Sequence, residues 1–173
     1  MGICRNVRNG AFETNSSSSH TICMTYTDSF NDIIPEDDNG KINIFPGIFD
    51  WEPETFNDAA TKASYCFTSI LYNIDEKKLK NKKSFSKDEI MSALEGDEVK
   101  IFFSMLDEVL EDNLSKSILY NIKNDLAYPL GYIDHQSQDV PCQVFGDKNT
   151  LMNFIFNPSS TLIVTNDNID FSY

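Results

Sequence analysis

Two runs of β-branched and apolar residues stand near opposite ends of this chain: Thr21-Ile22-Cys23-Met24-Thr25-Tyr26 and Thr161-Leu162-Ile163-Val164-Thr165. Such side chains fit a pleated, half-buried surface and lose rotamer freedom in a helix, so both runs are expected strands. Much of the sequence between them repeats apolar residues at the helical period. The pattern predicts an α+β fold, with a small sheet from the N- and C-terminal strands packed against a central helical block. No internal repeat or long linker divides the 173 residues. Residues 1–173 are therefore expected to form a single domain, and a chain of this size buries about 70% of its unfolded surface.

Local signals fill in the frame. Asn39-Gly40 is a turn dipeptide ahead of the alternating run Lys41–Phe45, so a hairpin or meander with the first strand is expected. A helix capped at Thr55 carries an apolar stripe from Phe56 to Ile74, with Lys62, Tyr65 and Ser69 expected on its other, solvent side. Ser86 and Glu89 form a capping box for a short helix. Another helix starts at Asp97, helical spacing continues from Ile118 to Leu126, and Asp147 caps a last helix.

Charge narrows the partners. The net charge is −13, and five of the fourteen basic residues lie between Lys77 and Lys83, read as a solvated lysine loop. Binding to a phosphate backbone needs positive charge, so no direct nucleic-acid binding is expected. No apolar run reaches the length of a membrane span, and the residues after Arg5 and Arg8 are too polar for a secretion signal. The four scattered cysteines then read as reduced core thiols of a cytoplasmic protein.

The chemistry concentrates in two polar segments. The first runs from Arg5 to His20 and the second is Gly131-Tyr132-Ile133-Asp134-His135-Gln136-Ser137-Gln138-Asp139. No phosphate-binding loop, dinucleotide fingerprint, Gly-x-Ser-x-Gly elbow or His-Glu-x-x-His motif is present. His20, His135, Glu13 and Asp134 together offer two imidazoles and two carboxylates. That set suits a general acid/base pair or a divalent metal, and neither cofactor nor metal is specified further. Arg5 and Arg8, with Asn15, Ser16, Ser17 and Ser18, can hold an anion. A purely structural use stays open, with Glu13 and Asp134 capping turns and the serines forming a loop. His135-Gln136-Ser137 fits one half of the paired His-x-Ser/Thr arrangement of two-histidine phosphoesterases, but position 22 is Ile where the partner would need a hydroxyl.

The stretch Arg8-Asn9-Gly10-Ala11-Phe12-Glu13-Thr14-Asn15-Ser16-Ser17-Ser18-Ser19-His20 resembles the opening signature of a family of uncharacterised bacteriophage and prophage proteins. The similarity continues through Phe49-Asp50-Trp51-Glu52, where that family has Phe-Gly-Trp-Glu, the Lys62-to-Tyr65 helix, Ile133 to Ser137 and Asn166-Asp167-Asn168. The resemblance implies a phage or prophage setting and a shared polar site. The leading expectation is an accessory protein of the host cytoplasm, serving host takeover or anti-defence, that binds a small anionic ligand such as a nucleotide. Two others stand beside it: a non-enzymatic acidic inhibitor of a basic host nuclease, polymerase or defence complex, and a minor virion component.

Overall fold

The structure, a computed structural model, describes residues 2–6, 18–26, 33–50, 52–79, 82–122, 128–133 and 144–166, with backbone alone for 2–6, 18, 19, 76, 165 and 166. Its fold is α+β. The terminal strands share one antiparallel sheet in the order β1 (Gly2–Asn6), β2 (Ser18–Thr25), β9 (Thr161–Asn166), β5 (Glu54–Phe56). Ser18 is the Cα partner of Asn166, and Cys23 of Thr161. Along β2 the side chains alternate, as the pleat requires: His20, Ile22 and Met24 are buried, while Thr21, Cys23 and Thr25 are partly exposed. Leu162 and Val164 of β9 are buried beside them.

Three helices build the layer that covers this face: α1 (Ala59–Leu71), α3 (Asp97–Leu114) and α4 (Lys148–Phe156) pack on one another, and α4 also packs on β2. The short α2 (Lys87–Ala93) forms where the capping box predicts it, with Ser86 and Glu89 bonding each other's backbone. Asp147 caps α4 by accepting from the Thr150 amide at 2.9 Å. No described helix is long and apolar enough to cross a membrane.

Several local expectations are corrected. The Asn39-Gly40 turn closes only a bridge between Glu36 and Ile42, with Asp37 accepting from the Asn39 and Lys41 amides. That leaves the other edge of β3 (Ile42–Ile44) open, and it pairs in parallel with β7 (Ile118–Asn121) instead of joining β2. β6 (Ser84–Phe85) completes this second sheet. The expected helix at Ile118 is thus a strand: Ser115 ends α3 in the left-handed region, and the apolar run after it is long enough for a buried strand only. Helix α1 starts later than expected. Asp58 accepts from the Thr61 amide at 2.7 Å and is the true cap, while residues 54–56 are drawn onto β9.

Two corrections concern side chains. Lys62, Tyr65 and Ser69 do not face solvent but are buried, because α1 is enclosed by α3, α4 and the sheets. Cys23 is disulfide-bonded instead of reduced, and its Cα partner across β1 is Cys4. Cα atoms opposed in antiparallel strands lie within the span of a disulfide. Cys66 is buried in α1, as a core cysteine is expected to be.

Candidate functional site: a buried histidine and the strand that follows it

His20 is the one histidine among the described residues. The alternation of β2 points it at the helical layer, where it is fully buried. Its Nδ1 lies 3.2 Å from the hydroxyl of Tyr65 on α1. The two rings are tilted, with centroids 5.6 Å apart. Tyr65 is itself fully buried, and burial pushes its phenol far above the ordinary value, so the hydroxyl keeps its proton. It can donate to an unprotonated Nδ1 or accept from a protonated one, and so holds the imidazole plane in either tautomer.

Tyr65 extends the contact away from the sheet. Its ring meets Phe49 edge-on at 5.0 Å, and Phe49 is the Cα partner of Ile133 in the parallel pair of β4 (Ile48–Phe49) and β8 (Tyr132–Ile133). Asp134 and His135 follow Ile133 directly in sequence. Glycine makes this pairing possible. Gly131 has φ +78°, and a Cβ there would strike the Gly47 carbonyl oxygen, to which the Tyr132 amide donates at 2.9 Å. The loop before β8 can therefore press against the loop before β4.

Beside β8 lies a cavity of about 320 Å³ lined by Tyr72, Tyr128, Tyr132, Leu71, Leu130 and neighbouring residues. The Tyr128 and Tyr132 rings are 4.9 Å apart and tilted by 33°. The Tyr72 hydroxyl fixes the wall, donating to the Ile133 carbonyl at 2.7 Å and accepting from its amide at 2.5 Å. Tyr72 follows Tyr65 by seven residues, about 10 Å along the helix axis at 1.5 Å per residue. One side of α1 thus presents a hydrogen-bonded imidazole at its middle and an aromatic cavity at its C-terminal end.

Lys62, one turn before Tyr65, has a different task. Its ammonium donates to the carbonyls of Asn157 at 2.9 Å and Ser160 at 3.0 Å, just past the end of α4, and stands 5.9 Å over the Phe154 ring. A cation there meets the negative end of the helix dipole. The same turn binds the end of β2, since the Asn153 and Asn157 amides both donate to the Thr25 carbonyl.

Of the candidate site residues named from the sequence, only His20 is placed with its side chain. Arg5 and Ser18 are placed by backbone alone, as Cα partners of Ile22 and Asn166. Glu13, Arg8, Asn15, Ser16, Ser17, Asp134 and His135 lie outside the described residues. Among the described residues no group of three or more His, Cys, Asp and Glu side chains is arranged to hold a metal. Tyr65, Phe49 and the cavity tyrosines were not foreseen. The available signal was a polar stripe, Lys62, Tyr65 and Ser69, in an otherwise apolar helix. No protein-family model, curated protein or solved structure matches this chain.

Proposed function

We propose that this chain is a phage-type accessory protein of the host cytoplasm, acting in host takeover or anti-defence, whose two polar segments form one site for a small anionic ligand of the nucleotide class. One observation carries the reading. The run of contacts from His20 through Tyr65 and Phe49 reaches Ile133, the residue that precedes Asp134 in the sequence, and this supports bringing the two segments together. The tyrosine-lined cavity beside Ile133 suits a planar base, which stacks on aromatic faces. Arg5 and Arg8 clamp the phosphate, helped by Asn15 and the hydroxyls of Ser16, Ser17 and Ser18. Glu13 and Asp134 orient the two histidines, and any proton transfer falls to His20 and His135. In a reducing cytoplasm the Cys23 disulfide opens, and β1 then stays on β2 through backbone pairing alone.

The test is thermal stabilisation of the full chain by adenine and guanine nucleotides, with inorganic phosphate and divalent metal as separate arms. A ligand at a hundred times its Kd adds about 2.7 kcal/mol. The expected result is a nucleotide-dependent rise in Tm that Arg8→Ala and Tyr128→Ala abolish and Lys82→Ala leaves intact. If no nucleotide, phosphate or metal moves the Tm, the reading fails.

A further inference from the structure

A second concavity lies beside the first half of α1, on the far side of β4 from the tyrosine cavity's β8. It is a groove of about 330 Å³ whose floor is Ile34, Ile44, Phe49, Phe56 and Ala60. Its rim carries exposed apolar side chains: Phe45 is 43% exposed, Ile48 42%, and Ile33, next to Ile34, 72%. Apolar groups grouped around a groove and rimmed by polar ones mark interaction surfaces, whereas scattered ones do not.

The rim is also acidic. Glu54 lines the groove directly. Asp37 accepts from Asn43, a lining residue, at 2.9 Å, and Asp58 accepts from the amide of Thr61, another, at 2.7 Å. From Ile33 to Thr61 the sequence holds seven acids and one lysine, and among the described residues no Lys or Arg lines the groove. Hydrogen bonds from the Lys41 amide and the Asn43 side chain keep the Asp37 carboxyl below its ordinary range, so it stays charged. Lys116 pairs with Glu36 nearby, at 3.2 Å, whereas no ion pair is seen at Glu54 among the described residues.

Backbone adds a third element. Glu54 and Phe56 belong to β5, which ends the four-stranded sheet and, among the described residues, pairs only with β9. An edge strand offers unpaired amides and carbonyls to an incoming strand.

We propose that this groove docks an extended segment of a partner protein in which apolar residues alternate with Lys or Arg. The apolar side chains fill the floor between Ile48 and Phe56, the cations meet Glu54, Asp37 and Asp58, and the segment's backbone pairs along β5. Alternation follows from the pleat, since one face of a strand can bury while the other meets the acidic rim. A symmetric dimer through this groove is disfavoured, because it would set acidic rim against acidic rim. The proposal does not rest on the nucleotide reading, although the two meet at Phe49, which lines the groove and touches the Tyr65 ring; the peptide and nucleotide titrations test them separately.

The experiment is selection of short random peptides on the immobilised full chain, followed by anisotropy titration of the enriched ones. Enriched peptides are expected to alternate apolar and basic residues and to bind more weakly as salt rises. Glu54→Lys and Ile48→Asp, both at exposed positions, should each weaken them at least about tenfold, while Glu98→Lys on the far helix does not. Circular dichroism and Tm confirm that the variants fold. Failure to enrich any peptide, enrichment without basic residues, or binding unchanged by both groove variants would each overturn the proposal. Peptides that bind equally well with their apolar residues replaced by Ser would overturn it too, since charge alone would then suffice.

Discussion

The Nδ1 of His20 and the hydroxyl of Tyr65 lie 3.2 Å apart inside the protein, joining β2 to α1 across 45 residues of sequence. Both residues are fully buried, so neither can exchange this bond for water. Tyr65→Phe keeps the ring against Phe49 and removes only the hydroxyl. It should cost about 1 kcal/mol, the net worth of one buried hydrogen bond. Tyr65→Ala also loses the ring and should cost about 3–5 kcal/mol. Urea denaturation with an unchanged m-value separates the two. Equal losses would mean that the hydroxyl, and not the ring, holds β2 on the helices.

Lys62→Met tests whether the buried ammonium is structural. Methionine nearly matches the lysine stem in volume, so packing survives, but the Asn157 and Ser160 carbonyls lose a charged donor. Leaving buried acceptors unsatisfied costs about 1–3 kcal/mol. The turn after α4 also holds the Thr25 carbonyl through Asn153 and Asn157. Amide hydrogen exchange should therefore accelerate at the end of β2 as well as at Ser160. A methionine variant as stable as the parent would show that the ammonium does not hold this turn together.

What the sequence disclosed follows the range of the interactions involved. The terminal strands were legible because alternation and β-branched content act locally, and each needed only one buried face. The caps at Ser86 and Asp147 were legible for the same reason, since the partner amide lies three residues away. The parallel pairing of Ile42–Ile44 with Ile118–Asn121 was not, because register between distant segments leaves no local mark. A four-residue apolar run such as Ile118–Asn121 suits either period, and the helix before it biased the reading toward helix. Burial of Lys62 was hidden for a similar reason, since its carbonyl partners arrive from 95 and 98 residues away. At the site, His20 stood out as a polar group opening a strand, while the tyrosine that holds it belongs to another element.

The loop ahead of β8 should depend on a single glycine. Gly131→Ala places a side chain at φ +78° and drives its Cβ into the Gly47 carbonyl oxygen, which is backbone and cannot rotate away. Left-handed strain alone costs about 1–2 kcal/mol for an alanine, and the clash adds to it by pushing β8 off β4. The cavity walls Tyr128 and Tyr132 flank this glycine. The substitution should thus lower the Tm and also abolish the nucleotide-dependent stabilisation proposed above. Gly146→Ala is the control, because a Cβ there meets nothing within 4 Å.

Cysteine chemistry gives a direct check on the first sheet. Non-reducing peptide mapping of air-exposed protein should find Cys23 in a disulfide-linked peptide, with the Cys4 peptide the expected partner from the backbone register. Cys66 should react with a thiol reagent only after unfolding, since it is buried in α1. Closing a loop of this size is worth about 3 kcal/mol in the chain-entropy account. Reductant should therefore lower the Tm without changing the far-ultraviolet dichroism, as β1 keeps its pairing.

Acid should weaken the fold through its caps, and Asp147 gives the clearest sign. Its carboxylate accepts from the Thr150 amide and hydroxyl, and these bonds hold its pKa below the ordinary 3.8. A carboxyl whose folded pKa is depressed contributes stability that is complete above its unfolded pKa. That contribution fades as the pH falls through 3.8 toward the folded value. Glu89 and Glu108, lowered by Lys82 and Lys148, act in the same direction. The Tm should therefore be level at mildly acidic pH and drop below about pH 4, the unfolded carboxylate range. Asp147→Asn retains a good cap but has no charge to lose. Its Tm should start slightly lower at neutral pH, and its acid drop should be shallower than that of the parent chain. Parallel Tm curves for the two proteins would show that the hydrogen bonds at α4 contribute nothing to the acid limb.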